Sequence, residues 1–241
     1  LDLTKISELL KKEINAGNAN TEDFDFEKVT KFMNADVNPL RVIIDCTNTE
    51  KAGDYYEEWL SQGIHIISPG RKVGSGDWDR YEKICAAQKR LAVEWYLESS
   101  VGSALPIIST IRDLFETGDK IKVVHGSLSG TMAFVLSTFD ETLPFSEALA
   151  MAEHKGYCEK NPCEDLNGSD MARKVVILAR QIGLNVNFED VEVESLLPDS
   201  FGCDKDTASI LEVVKSLDEP MLEKLKAARA KGCNLRYQFT I

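Results

Sequence analysis

RVIIDCTNTEKAGDYYEEWLSQGIHIIS, residues 41–68, is the stretch on which the fold turns. It begins with an apolar run, RVIIDC, that ends in a polar turn, the pattern of a buried strand in a parallel sheet. Tyr55, Trp59 and Leu60 then recur at helical spacing, Gly63 closes the segment, and IHIIS supplies a second buried strand. Strand, helix and strand at this spacing form a βαβ unit, whose crossover is right-handed in nearly all sheets. Ligands of such sheets collect at the carboxyl ends of the strands, here DCTNT at 45–49 and SPGRKVGSG at 68–76.

Outward from this unit, the pattern predicts a helix around 81–89 and an alternating strand, LAVEWYLE, at 91–98. SSVGSALP leads into a helix with Pro106 near its first position and Ile107, Ile108, Ile111, Leu114 and Phe115 on its inner side. From Ile121 the texture changes. IKVVHGSLSG reads as a strand running into a turn, followed by helical patterns at about 131–139, 145–155 and 168–182. The boundary between two parts is therefore expected near Gly118, giving 1–117 and 118–241. Residues 1–40 read as helical and polar, with TEDFDFEK as a surface connection.

The chain has 241 residues, 43% hydrophobic and 28% charged, enough to bury a core. Its formal net charge of -12 and pI near 4.8 offer no basic stripe for a nucleic-acid backbone. No apolar run approaches a membrane span, and LDLTKISELLKKEI is not a signal peptide. The expectation is a soluble intracellular protein. Six cysteines, at 46, 85, 158, 163, 203 and 233, make no C-x-x-C pair, and three histidines are few, which argues against zinc. Cysteines in IIDCT and EKICAA read as reduced core thiols in a reducing compartment. A redox role for Cys158 and Cys163, which flank an acidic loop, is the less favoured reading.

That loop belongs to GYCEKNPCEDLNGSDMARK, residues 156–174. Asn167 is placed to cap the helix that follows, Asp170 lies in its first turn, and Gly183 stands beyond its last periodic residue. Met171, Val175, Leu178 and Ile182 form one apolar stripe. Asp170 and Lys174, four apart, stack beside it, and two readings stay open: a surface pair, or a partly desolvated proton donor aimed by an acid. GSLSGT at 126–131 puts backbone N–H groups at a helix start, a weak signal, and His125 reads as a strand residue rather than a catalyst.

Four blocks together, 45–76, 98–121, 126–136 and 156–180, resemble homoserine dehydrogenase, most closely the dehydrogenase half of the plant-type bifunctional aspartate kinase–homoserine dehydrogenases. The resemblance implies an α/β fold, with an incomplete doubly wound nucleotide-binding sheet (1–117) joined to an α+β substrate-binding and catalytic part (118–241). It implies reduction of aspartate 4-semialdehyde to homoserine by hydride from NADP or NAD. Lys174 matches the lysine that protonates the aldehyde oxygen, Glu159 the carboxylate that receives the substrate's amino group, Asp170 a second substrate-binding acid, and Asp165 an acid that holds the same loop. Thr47, Arg71 and Gly156 match positions on the cofactor side. Glu98, Val101, Ser103 and Leu105 match a loop that encloses a monovalent cation such as sodium through one carboxylate and backbone carbonyls. Members of the family form homodimers, and the compartment implied is cytoplasm or plastid stroma.

The chain departs from the family pattern in two places. The family reads P-N-K-K-A where this chain has Pro69-Gly70-Arg71-Lys72-Val73, so an arginine stands where a lysine is expected. Arginine keeps the charge but does not release a proton at ordinary pH. Further, no G-x-G-x-x-G turn precedes Arg41, where Gly17 is the single glycine, and the chain stops at LRYQFTI. The sequence therefore predicts a fragment or impaired form of the dehydrogenase, with a non-catalytic homologue serving as an interaction or regulatory module as the alternative.

Overall fold

The computed structural model describes residues 25–35, 40–47, 49–159, 161–198, 201 and 207–241. The chain divides into two compact units, Leu1–Pro39 and Leu40–Ile241. In the first, helix α1 (Phe26–Ala35) is opened by Asp25, whose Oδ1 accepts the backbone N–H of Glu27 at 2.8 Å. The remainder of the expected helical segment 1–40 lies outside the described residues, apart from Leu40, which is exposed.

The second unit opens with the predicted βαβ arrangement. Strand β1 (Arg41–Ile44) pairs in parallel with β2 (Ile64–Ile67), which pairs in parallel with β3 (Trp95–Tyr96). Helix α2 (Gly53–Ser61), entered through a 3-10 turn at Glu50–Ala52, and helix α3 (Trp78–Leu91) cover one face of this sheet. Tyr56 and Tyr81 both meet the buried Trp95 edge-on, with ring centroids 5.4 and 6.0 Å away, and Ile64, Ile66, Trp59 and Leu60 fill the space between.

The other face explains why β1 is not the fully buried strand that its sequence suggests. Both helices pack on the Trp95 side, so Val42 and Ile44 are 41% and 67% exposed. The register carries this face across the sheet, since Ile44 pairs with Ile67 and Ile67 with Tyr96, both of them exposed. The third strand is also shorter than expected. Helix α3 runs on to Leu91 and turns at Ala92 in the left-handed region, φ 53°, so that the strand begins only at Trp95.

Beyond it lie α4 (Ile107–Glu116), β4 (His125–Gly126), α5 (Gly130–Thr138), α6 (Phe145–His154), α7 (Pro162–Leu166), α8 (Ser169–Gln181), α9 (Thr207–Ser216), α10 (Asp218–Ala230) and β5 (Phe239–Thr240). The strand expected over 121–130 is confined to a short antiparallel ladder, Val124–Gly126 against Phe239–Ile241. His125 sits in it as a strand residue. On α4, Ile108 and Ile111 are buried, but Leu114 and Phe115 are 42% and 45% exposed, because the helix packs on α8 along a narrower line than the sequence pattern suggests. A second core joins Met132 and Val135 of α5, Phe145 and Leu149 of α6, Leu166 of α7, Val214 of α9 and Met221 and Leu225 of α10.

Helix α8 stands between the two cores, and burial runs around it rather than along one stripe. Val175 and Ile182 are half-buried, while Ala172, Val176, Ile177, Ala179, Arg180 and Gln181 join Met171 and Leu178 inside. Arg180 holds this position. Its guanidinium donates to the carbonyls of Gly74 (2.9 Å), Gly76 (2.6 Å) and Val186 (2.9 and 3.1 Å), and stacks over Tyr81 at 4.7 Å. It thereby pins the loop after β2 to α8. Arg180→Met keeps the stem but strands those three carbonyls, and each unsatisfied buried group costs about 1–3 kcal/mol. Chemical denaturation should show a loss of about 3 kcal/mol or more; a loss below about 1 kcal/mol would mean that the loop is held by other contacts.

Candidate active site

Three segments far apart in sequence converge beside the first turns of α8. Asp170, 4% exposed, receives a cation on each oxygen: Lys174 Nζ lies 2.7 Å from Oδ2, and Arg71 Nε donates to Oδ1 at 2.5 Å. Arg71 reaches onward with Nη2 to Glu159 Oε1. Lys174 donates to the carbonyl of Leu128, in the turn before α5, at 2.8 Å. Asp165 Oδ2 accepts the backbone N–H of Glu159 at 2.9 Å, and Thr131 Oγ1 donates to the Tyr157 carbonyl at 2.8 Å, tying α5 to the acidic loop.

Local sequence builds this convergence. Asn161 Oδ1 accepts the N–H of Cys163 and Pro162 occupies the first turn of α7, a helix that buries Asp165. Asn167 was expected as the cap of α8, but the cap position falls to Gly168, φ 76°. Asn167 closes α7 instead and still serves α8 by accepting the N–H of Ser169 at 2.9 Å. Only glycine fits at 168, since a Cβ there would lie 2.2 Å from Tyr237 Oη and 2.5 Å from Val193. Ser129 Oγ caps α5 by accepting the N–H of Met132, which sets the Leu128 carbonyl toward Lys174.

Burial decides between the two readings of the Asp170–Lys174 pair. Lys174 is 8% exposed, so the pair is desolvated rather than a surface bridge. Burial lowers the pKa of Arg71, but the charges and hydrogen bonds of Asp170 and Glu159 outweigh it and leave the value raised. Asp165 moves the other way from most paired acids. Burial pushes it up to about 6, against the lowering from the Glu159 N–H and the Thr131 hydroxyl.

On the side of the sheet's carboxyl ends, Cys46, Pro69, Gly70 and Arg71 line a small cavity of about 190 Å³. Thr47 is exposed there, its N–H and hydroxyl both held by Asp45 Oδ1 at 2.8 and 2.7 Å, while Tyr56 donates to Asp45 Oδ2 at 2.6 Å. Burial first, and then Asp45, push the Tyr56 pKa up, so the phenol stays a donor. Gly156 ends α6 with φ 74° and open space where a Cβ would stand; its backbone angle, not crowding, calls for glycine. Arg71 alone of these residues belongs to both the cavity and the acid cluster.

The loop 98–105 forms a separate feature tied to α4. Both oxygens of Glu98 accept backbone N–H groups at its start, from Ile108 at 2.9 Å and Ser109 at 2.8 Å. Val101 is buried, Gly102 and Ser103 take positive φ of 76° and 53°, and Leu105 is 61% exposed.

The cysteines depart in part from a set of reduced core thiols. Cys163 is disulfide-bonded, whereas Cys46, Cys85, Cys158 and Cys233 are free, Cys46 and Cys233 being exposed. Burial, with Asp165, Glu153 and Glu159 nearby, pushes Cys158 up to about 12 and keeps it a thiol, which argues against redox chemistry at that position.

Sequence reasoning did not find Arg180, the Leu128 carbonyl or Thr131. The GSLSGT turn was the available signal for the last two. Among the described residues no helix is long and apolar enough to cross a membrane.

Two family models match the chain: "Homoserine dehydrogenase" over residues 106–241, and "Homoserine dehydrogenase, NAD binding domain" over 5–98. The chain is 38% identical over 237 residues to the chloroplastic bifunctional aspartokinase/homoserine dehydrogenase 2 of Zea mays, covering 98% of this chain and 25% of that one. It is 36% identical to the bifunctional aspartokinase/homoserine dehydrogenase 2 of Escherichia coli, covering 88% and 26%. This chain thus spans about a quarter of the length of these relatives. Among solved structures, a Candida auris protein of unknown function superposes with a TM-score of 0.82 at 31% identity, covering 94% of this chain and 65% of that one. A putative homoserine dehydrogenase from Archaeoglobus fulgidus, at 23% identity, shares the fold with a TM-score of 0.71, covering 95% and 63%. So does a hyperthermophilic archaeal homoserine dehydrogenase in complex with NADPH, at 21% identity and a TM-score of 0.62, covering 80% and 60%.

The Asp165 environment generates a pH prediction. Its folded pKa of about 6 lies above the ordinary 3.8, so its contribution to stability is full below pH 4 and falls as pH rises through 6. Asp165→Asn should remove that loss. Unfolding free energies of the two proteins should diverge between pH 4 and pH 6 in favour of the variant, by on the order of 3 kcal/mol. A constant difference across that window would show that Asp165 titrates like a solvated acid.

Proposed function

Since the chain belongs to the homoserine dehydrogenase family, we propose that the cluster beside α8 is a substrate site for the NAD(P)-dependent interconversion of aspartate 4-semialdehyde and homoserine. One observation carries this reading: a buried lysine, Lys174, held by Asp170 and the Leu128 carbonyl in a site walled by two further acids, Glu159 and Asp165. A nicotinamide cofactor, NADP or NAD, would supply hydride to the carbonyl carbon. Lys174 would give its proton to the carbonyl oxygen, so that the aldehyde leaves as an alcohol and no alkoxide accumulates. Asp170 aims the ammonium and Asp165 fixes the acidic loop through the Glu159 N–H. Glu159 and Asp170 offer the negative charge that an amino-acid substrate's ammonium needs.

Support on the cofactor side comes from position. The cavity lined by Cys46, Pro69, Gly70 and Arg71 lies at the carboxyl ends of β1 and β2, where α/β sheets take ligands, and suits the nicotinamide end with Thr47 and Gly156. The division into a nucleotide-binding part, 1–117, and a substrate part, 118–241, belongs to the same proposal, as does homodimerisation. A monovalent cation such as sodium would be held at 98–105. The oxygen donors there suit a hard ion, and with the Glu98 carboxylate engaged by α4, the carbonyls of Val101, Ser103 and Leu105 would carry most of the load.

A second reading rests on Arg71, whose ion pairs with Glu159 and Asp170 leave those acids already neutralised. This suits a non-catalytic homologue that keeps the fold for association. Homoserine-dependent reduction of NADP, measured in a chain supplied with a glycine-rich nucleotide-binding strand and turn and a closing segment, separates the two. Arg71→Lys should raise turnover ten-fold or more, about 1.4 kcal/mol on the barrier. Adding Lys174→Met in that background should lower it about a hundred-fold. Absence of turnover in the wild type and in Arg71→Lys would support the non-catalytic homologue.

A further inference from the structure

The Arg71 guanidinium does more than replace a lysine. It bridges two acids on different segments, Glu159 in the acidic loop and Asp170 in α8, and its side chain is 21% exposed against 5% for Asp170. Lys174 takes the second Asp170 oxygen, and the Glu159 N–H takes one oxygen of Asp165. A ligand that arrives with an ammonium group finds the Glu159–Asp170 pair filled by a cation of the same charge, with a forked geometry that suits carboxylates better than an ammonium does.

We propose that Arg71 is a tethered occupant of the ammonium subsite, a latch that excludes amino-acid ligands until its guanidinium is displaced. This rests on the reading of Glu159 and Asp170 as the acids that receive a substrate's amino group. A tethered group competes at an effective concentration in the millimolar range or higher, so a free amino acid at lower concentration loses. The loop that carries Arg71 is fixed at its far end by Arg180 on Gly74 and Gly76, which keeps the latch within reach of α8. The neighbouring Lys72 does not substitute for it: among the described residues its side chain forms no ion pair with either acid.

The test separates the latch from the substrate. Ethylammonium chloride, against sodium chloride at equal ionic strength, is titrated by calorimetry and by chemical-shift perturbation into the wild type, Arg71→Ala and Arg71→Gln. The second variant keeps a polar side chain in case the first fails to fold. Either variant should bind ethylammonium at one saturable site at least ten-fold more tightly than the wild type, and Glu159→Gln added to it should abolish the gain. Equal binding by wild type and variant, or no saturable site in a folded variant, overturns the latch. L-homoserine is titrated into the same proteins. A variant that takes ethylammonium but binds no homoserine would show Arg71 covering a cation site that amino acids do not use, which overturns the latch and the amino-acid substrate reading together; homoserine bound equally well by wild type and variant would overturn the latch alone.

Discussion

The Asp170 carboxylate, with a cation on each oxygen, is the contact on which the site's architecture depends. It is nearly inaccessible to water, and a buried acid survives as a charge only when paired and hydrogen-bonded. Lys174 supplies one partner from the next turn of its own helix, and Arg71 supplies the other from the loop after β2. The carboxylate therefore determines where that loop must lie against α8. Removing either cation leaves the other in place, so the arrangement is more tolerant than an isolated buried pair.

Helix α8 can hold this cluster because both of its ends are committed elsewhere. At its start, Gly168 admits the close approach of Tyr237 and Val193, and Asn167 satisfies the first free N–H. Toward its end, Arg180 binds the carbonyls of Gly74 and Gly76 in the loop after β2 and that of Val186 in the segment following α8. The helix thus joins the βαβ part, through Gln181 on Tyr81 and Arg180 on the loop after β2, to α7, whose Leu166 belongs to the helical core. A site on such an element is held rigidly, which a proton donor requires if it is to sit within hydrogen-bond reach of a reacting oxygen.

What was legible in the sequence follows from range. The βαβ unit and α8 appear because their periodicities are local, and the Asp170–Lys174 pair appears because i,i+4 spacing needs no tertiary knowledge. The Arg71–Asp170 contact spans 99 residues and has no local signature. Leu128 contributes a backbone carbonyl, to which side-chain identity gives no clue. The single stripe read on α8 understated its burial because Lys174, Arg180 and Gln181 look like surface residues until their partners are seen. Apolar β1 misled in the opposite sense. Its pattern describes a buried strand, but with α2 and α3 both on the Trp95 face, alternate side chains remain open to solvent. The family resemblance marked position 71 as a departure, and the structure shows its consequence: the arginine is bound by the acids.

Arg71 and Asp170 form a desolvated pair that organises the cluster. A double-mutant cycle on stability, built from Arg71→Met, Asp170→Asn and the combination, measures that interaction directly. A coupling energy of at least about 1 kcal/mol is expected, within the range for contacting residues in one network. A coupling near zero, with the two single effects simply adding, would contradict it and mark the contact as a surface encounter without energetic weight.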